Sequence, residues 1–301
     1  MEEYGRYKLF GCGACGVQFW EPREMPDARW YEQMYGGRDE NLLPLEPGHK
    51  YFLEDPLAPR GGELLDIGCG TGNFLASARE AGYRVSGIEL DRNAARFAKE
   101  RLGLQRVFPL TIAEFAEQHA EERFDAVTFF EVLEHQAAPV EFVQKVKGCV
   151  RRGGVIALSV PNRERWLTRP DVLDYPPNHF SRWNAGALKM FLSAQGFEVS
   201  SIREQPAGLT HTAQMINIAL RTGMSQVAGE ASTSFRDVMQ MPPDQADIAL
   251  RAKPTIRQRA LEILGKIKHA ACFPLAAAAF PYVRLCGFKG TYLYCLARKR
   301  D

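Results

Sequence analysis

One stretch of twelve residues limits what this chain can fold into: Leu64-Leu65-Asp66-Ile67-Gly68-Cys69-Gly70-Thr71-Gly72-Asn73-Phe74-Leu75. An apolar run ends in an acid, glycines follow at alternate positions, and a helical pattern begins (Phe74, Leu75, Ala78). This predicts a strand, a tight turn and a helix start. Glycine lets backbone approach a ligand and takes φ values that other residues avoid. The helix opens with free N–H groups and a positive dipole end, which suits an anion such as a carboxylate or phosphate. Asp66, at the strand tip, can accept hydrogen bonds from an ammonium or from loop amides. The spacing is G-x-G-x-G and differs from the dinucleotide pattern G-x-G-x-x-G.

Three more stretches follow in order. Arg84–Asp91 predicts the next strand, with Glu89 about 20 residues after the glycine turn, where an acid can grip ribose hydroxyls. Phe124-Asp125-Ala126-Val127-Thr128-Phe129-Phe130-Glu131-Val132-Leu133-Glu134-His135 predicts a strand that runs into polar residues. Arg151–Asn162 predicts a turn and then a buried strand. Strands at 64–67, 84–89, 105–108, 124–130 and 154–160 alternate with helices at 73–81, 92–102, 112–120 and 139–148. Such alternation predicts a parallel sheet with helices on both faces and ligands at the carboxyl edge. Asn184 is placed to cap a helix at 185–195, and a strand at 197–203 follows. Gly290–Arg298 alternates and is expected to be the last strand.

In this order and spacing, LLDIGCGTGNFL, GIELD, FDAVTFFEVLEH and RRGGVIALSVPN resemble the motifs of class I S-adenosylmethionine (SAM)-dependent methyltransferases. The similarity covers 47–205 and the last strand. It implies a Rossmann-like α/β/α sandwich with a mostly parallel seven-stranded sheet, an antiparallel last strand and a helical insertion. It implies four parts: an N-terminal segment (1–46), a SAM-binding core (47–205), an insertion (206–288) and the last core strand (289–301). It also implies SAM as cofactor, held by Asp66, Gly68, Cys69, Gly70, Gly72, Glu89, Leu90, Ile112, Phe130 and Glu131. Many relatives carry an acid near Ile112, where this chain has Leu-Thr-Ile-Ala.

Methyl transfer from a sulfonium is an in-line displacement, so the protein's task is alignment and exclusion of water. A hydroxyl acceptor must also lose a proton, which a histidine can take. His135 follows the fourth strand and His179 lies in the Pro-rich loop 174–181, so one of the two is expected to be the base. The alternative for each is a structural role. The expected acceptor is a small molecule, a hydroxyl of a sugar or glycan precursor or of a quinone-like ring. Methylation of carbon or nitrogen is the alternative within enzymes. A SAM-binding module docked on membrane or RNA is the alternative outside them.

The N-terminal Cys12-Gly-Ala-Cys15 followed by Gly16 looks like half of a zinc ribbon, but tetrahedral zinc wants four ligands, so two free thiols are expected and no metal is assigned. The segment 26–57 is expected to be helical in two pieces, with Tyr31 and Tyr35 as candidate pocket residues. Seven cysteines without a small secreted scaffold, and no apolar signal segment in MEEYGRYK, suggest a cytoplasmic protein. The net charge of +2 hides an asymmetry: residues 251–301 hold eleven Lys or Arg and two acids. With the apolar run after them, residues 256–285 are a candidate for peripheral membrane contact, against a hydrophobic cap or a dimer contact. Residues 221–255 are polar and without a period, as expected of a mobile segment. Nucleic acid is not an expected partner, and the oligomeric state is left open.

Overall fold

Strand β4 (Gly62–Ile67) sits near the middle of a seven-stranded sheet, and the other elements follow from how its neighbours add. The computed structural model describes residues 3–24, 44–166, 174–224 and 271–300. Two short strands, β1 (Glu3–Tyr4) and β2 (Tyr7–Gly11), lead to β3 (Gln18–Glu21). Helix α1 (Pro47–Glu54) then precedes β4. Next come α2 (Asn73–Glu80), β5 (Tyr83–Ile88), α3 (Arg92–Leu102), β6 (Val107–Phe108) and α4 (Ile112–Gln118). The chain continues through β7 (Phe124–Phe130), a single 3-10 turn (Leu133–His135), α5 (Pro139–Cys149) and β8 (Val150–Pro161). It then forms β9 (Ser181–Arg182), α6 (Ala185–Ala194) and β10 (Phe197–Pro206). Helices α7 (Leu209–Met224) and α8 (Phe273–Leu285) come before β11 (Lys289–Lys299).

The large sheet has the order β10-β11-β8-β7-β4-β5-β6. Pairs β4–β5, β4–β7, β5–β6 and β7–β8 are parallel, and β11 runs antiparallel to β8. This is the expected mostly parallel seven-stranded sheet with an antiparallel last strand. Because side chains alternate across a strand, neighbours serve opposite layers. Leu65, Ile67, Val127 and Phe129 pack with Phe142, Val143, Leu188 and Phe191 on one face. Leu64, Ala126 and Ala157 pack with Phe52, Phe74, Leu75 and Ala98 on the other. Each fully buried Leu, Val or Phe contributes about 1.5–3 kcal/mol of transfer free energy, so the sheet is held from both sides.

One local expectation changes. Arg151-Arg152-Gly153-Gly154 is not a turn before a strand; β8 already starts at Val150 and carries an irregularity opposite Phe124/Ala126. Gly153 takes φ +70, and a Cβ on Gly154 would lie 3.1 Å from the Asp125 carbonyl, so glycine lets the bulged backbone pass. Within the segment 26–57, expected to be helical in two pieces, the described helix α1 is opened by Pro47, where a fixed φ and a missing N–H cost nothing. Tyr31, Tyr35, the segment 221–255 other than its first four residues, and the basic helix 256–268 lie outside the described residues.

The chain divides into two compact units: residues 1–163, 176–204 and 292–301 form one, and 164–175 with 205–291 the other. The first holds the sheet's parallel strands. It also holds a four-stranded sheet of order β1-β2-β3-β9. In the second, α7 and α8 pack through Ala213, Ile216, Cys272, Phe273 and Ala276. Among the described residues no helix is long and apolar enough to cross a membrane.

Candidate active site

The turn between β4 and α2 owes its shape to three left-handed glycines: Gly68 (φ +75), Gly70 (φ +55) and Gly72 (φ +85). The Gly68 and Cys69 amides donate to the Ile88 carbonyl at 2.8 and 3.2 Å, tying the turn to β5. A Cβ on Gly72 would stand 2.6 Å from Leu104 Cδ1, whereas one on Gly70 would meet nothing within 4 Å. The turn is therefore packed at its base and open at its crest, as a cradle for a ligand requires. Replacing Gly72 with Ala combines a left-handed backbone with this clash, and is expected to cost about 1–3 kcal/mol of stability, read as a lower urea midpoint. An unchanged midpoint would show that the turn relaxes freely.

Glu89, at the end of β5, clamps the turn. Its Oε2 accepts from the Gly70 amide at 2.8 Å and its Oε1 from the Asp91 amide at 2.8 Å. Burial raises its pKa, and the amides of Asp91 and Gly70 work against that rise. Asp91 in turn caps α3 by accepting from the Asn93 amide at 2.8 Å. Leu90 is 37 % exposed beside this clamp, and Ile112 is buried at the first turn of α4, whose cap Thr111 forms a reciprocal box with Glu114.

Asp66 is buried, and Thr128 Oγ1 donates to its Oδ1 at 2.6 Å. Burial pushes the Asp66 carboxyl up to about 8, the nearby Glu89 charge adding to the rise. The folded state thus holds a proton that the unfolded chain releases near its ordinary carboxylate pKa. Stability from this group is present at low pH and is lost as pH rises from about 4 to about 8. Asp66→Asn keeps the acceptor oxygen for Thr128 without the charge. It is expected to gain stability relative to the unsubstituted chain between about pH 5 and pH 8 in denaturant titrations. Parallel pH profiles would show that Asp66 ionises without penalty.

Cys69 packs against β5, with its Sγ 2.7 Å from where a Gly87 Cβ would stand, and burial pushes its thiol well up. It fills space and is no nucleophile.

The carboxyl ends of β7 and β8 form the next part of the site. Phe130 meets Phe74 edge-on at 5.1 Å, and the His49 ring stacks on Phe74 at 4.9 Å and meets Phe130 edge-on at 4.8 Å. His49 Nδ1 accepts the Glu46 amide at 3.1 Å, and burial lowers its pKa to about 4, so the ring is neutral with its proton on Nε2. A Cβ on Gly48 would be 2.9 Å from Phe130 Cδ1 and 3.0 Å from Ser159, so glycine lets α1 settle on this edge. Glu131 takes φ +54, the only positive φ at a non-glycine among the described residues. Its Oε1 accepts from Ser159 Oγ at 2.8 Å, and its amide donates to the Ser159 carbonyl at 3.0 Å. Such a backbone conformation costs of order 1–3 kcal/mol and is over-determined here by the two Ser159 contacts.

Just beyond, the 3-10 turn brings Glu134 and His135 against His179. The two imidazole rings lie 4.8 Å apart. Each Nε2 is close to Glu134 Oε1, at 3.9 Å for His135 and 4.0 Å for His179. His135 Nδ1 lies 2.6 Å from the Asn178 carbonyl oxygen, which can only accept, so Nδ1 carries the proton and Nε2 offers a lone pair. Burial, with the His179 ring beside it, lowers the His135 pKa to about 3. One donor atom from each of Glu134, His135 and His179 lies within 4.8 Å of the others, with Glu134 and His179 buried. The set can hold a proton or a divalent cation, although no metal ligands were expected from sequence.

The structure thus gathers Asp66, the glycine turn and Glu89 in one place, and His135 with His179 in another on the same sheet. Thr128, His49, Ser159 and Tyr292 were missed. Thr128 carried a signal, as a lone hydroxyl in an otherwise apolar strand end facing Asp66. Tyr292, whose pKa is raised by burial and by Glu46, Glu131 and Glu134, lies on the expected last strand, but nothing in its local pattern ties it to the site.

Comparison with known proteins agrees with this architecture. A family model described as a methyltransferase domain matches residues 41–202. A Mycolicibacterium smegmatis protein named "Probable S-adenosylmethionine-dependent methyltransferase" is 28% identical over 191 residues, 63% of this chain and 71% of that one. A ubiquinone biosynthesis O-methyltransferase of Aromatoleum aromaticum is 41% identical over 107 residues, 34% of this chain and 45% of that one. Another from Azoarcus is 36% identical over 138 residues, 45% of this chain and 58% of that one. The chain spans about half the length of these two ubiquinone-pathway relatives. Among solved structures, the cyclase SpnF superposes with TM-score 0.50 at 19% identity, covering 84% of this chain and 79% of that one. The cyclopropane synthase MmaA2 from Mycobacterium tuberculosis superposes with TM-score 0.50 at 15% identity, covering 83% and 82%; both likenesses show the fold alone. With the family model spanning more than half of the sequence and the glycine turn, acidic clamp and seven-stranded sheet in place, the chain belongs to the methyltransferase-domain family of class I SAM-dependent enzymes.

Proposed function

We propose that this chain methylates a hydroxyl group on a small molecule, and that the acceptor is a phenolic, quinone-like ring rather than a sugar. The observation that carries the reading is the Glu134–His135–His179 trio at the end of β7. The open crest of the glycine turn at Gly70 and the carboxylate of Glu89 fit SAM, which when bound supplies a sulfonium-borne methyl group. Glu89 would hold the ribose hydroxyls, and Asp66 would accept a hydrogen bond from the amino-acid portion. The His49 ring, braced from behind by the buried Phe74 and Phe130, offers an aromatic edge that suits a flat ring. The names of the ubiquinone-pathway relatives support a phenol over a sugar.

His135 is set up to take the acceptor's proton. Its tautomer is fixed by Asn178 and burial keeps its Nε2 lone pair unprotonated, with a pKa lowered to about 3; the basicity that this costs has to come from the Glu134 carboxylate 3.9 Å away, which stabilises the imidazolium that forms. A second reading is carried by the convergence of three donor atoms. A divalent cation held by the trio would bind the acceptor oxygen and lower its pKa instead. Release of S-adenosylhomocysteine from SAM, measured over a panel of catechols, hydroquinones and sugar nucleotides with and without chelator, tests both. Turnover on phenols that survives chelation supports His135 as base, and turnover lost on chelation and restored by a divalent ion supports the cation. Turnover only on sugar nucleotides contradicts the phenolic assignment.

A further inference from the structure

Helix α1 brings to the carboxyl edge of the sheet a polar atom that the chemistry above does not use, Nε2 of His49. The residue lies in the first turn of α1 and takes part in the helix start. Its Nδ1 accepts the Glu46 amide at 3.1 Å, one half of a reciprocal capping box. Because Nδ1 accepts, the ring's proton is on Nε2. The ring is fixed in position as well as in tautomer. It lies nearly parallel to Phe74, at 4.9 Å and 16°, and nearly perpendicular to Phe130, at 4.8 Å and 88°. Both of these neighbours are buried. Phe74 belongs to the first turn of α2, directly after the glycine turn, and Phe130 ends β7, directly before Glu131 and on the way to the trio. His49 therefore stands between the turn that would hold SAM and the strand end that leads to His135.

The polar groups beside α1 are engaged with each other, since Ser159 Oγ donates to Glu131 Oε1 at 2.8 Å. Among the described residues none accepts from His49 Nε2–H, and the ring is half-buried, so this hydrogen bond is left to water or to a ligand. Burial lowers the His49 pKa to about 4, which keeps the ring a neutral donor at neutral pH. A flat ring that docks on this edge displaces water from it. If the ring brings an oxygen to Nε2, the hydrogen bond is replaced. If it brings only carbon, the N–H is left unsatisfied, and a site with an unpaired polar group rejects that ligand.

We propose that His49 is a specificity-determining residue whose Nε2–H donates to a second oxygen on the acceptor ring. The preferred acceptor is then a ring with two oxygens rather than a phenol with one. The inference rests on the phenolic reading above and narrows it.

The test uses the full chain with SAM and matched acceptors in which one ring oxygen is replaced by a methyl group: catechol against 2-methylphenol, and hydroquinone against 4-methylphenol. The kcat/KM for each is measured on the unsubstituted chain, His49→Phe and His49→Gln, with SAM affinity and the unfolding midpoint beside it. Phenylalanine keeps a ring between Phe74 and Phe130 and removes both nitrogens. Glutamine supplies an acceptor for the Glu46 amide, as in an ordinary capping box, and a side-chain N–H. The expected result is a preference of the unsubstituted chain for the two-oxygen member of at least one pair. His49→Phe lowers that preference by about 3- to 10-fold, chiefly through KM, and His49→Gln recovers part of it. Where phenylalanine does not fold, the preference of the unsubstituted chain and that of His49→Gln decide. The proposal is overturned if the unsubstituted chain shows no preference for the second oxygen, or if the preference is the same in every folded variant. It is also overturned if the loss in His49→Phe falls equally on both members of each pair or follows weakened SAM binding, which mark a structural and a cofactor role. An unsubstituted chain that turns over none of these phenols overturns the phenolic reading, and this proposal with it.

Discussion

Glu89→Ala is expected to weaken SAM binding by about 10- to 100-fold, measured by equilibrium dialysis with labelled cofactor on a sample whose circular dichroism is unchanged. The size follows from what the side chain holds. Its two oxygens each accept a backbone amide at 2.8 Å, one from the crest of the glycine turn and one from the start of α3. Hydrogen bonds to a charged group contribute about 1.5–3 kcal/mol. Alanine removes both, and with them the carboxylate that would hold the ribose. Glu89→Gln keeps one acceptor oxygen and is expected to fall between the two. Binding within about twofold of the unsubstituted chain in both variants would show that Glu89 neither shapes the turn nor touches the cofactor.

His135→Asn is expected to lower turnover on a phenolic acceptor by about 100- to 10,000-fold with SAM affinity unchanged. Asparagine retains a side-chain donor for the Asn178 carbonyl but offers no basic nitrogen to the acceptor. Glu134→Gln tests the partner in the same assay. The fully buried carboxylate lies 3.9 Å from His135 Nε2, so removing its charge is expected to slow the same step without altering cofactor binding. A structural role for His135 would instead be read as a lower unfolding midpoint with turnover per folded molecule preserved. That pattern would remove His135 from the chemistry.

The parts of the molecule that were legible in the sequence are those written in local pattern. Leu64–Leu75 specifies a strand, a turn and a helix within a dozen residues, because alternating glycines and a single acid leave few other conformations. The regular β/α alternation after it specifies a parallel sheet. Glu89 was legible for a related reason: it stands at a fixed distance along a βαβ unit. The rest depends on contacts distant in sequence. Nothing near His49 announces that Gly48 lets α1 rest on Phe130 and Ser159. The Glu134–His135–His179 trio is assembled by a loop that returns after more than forty residues. The Phe180 amide donating to the Glu134 carbonyl at 2.8 Å holds that return. The bulge in β8 was misread for a physical reason: two adjacent glycines signal a turn or a bulge equally, and only pairing with β7 decides between them.

The most direct test of the central claim is a calorimetric titration of the purified chain with SAM and with S-adenosylhomocysteine, repeated on Glu89→Ala. Saturable binding of both at one site per chain, weakened by the substitution, is the predicted result. A well-folded chain that binds neither would contradict the assignment of the glycine turn and Glu89 as a SAM site, and with it the methyl-transfer reading of the trio beyond it.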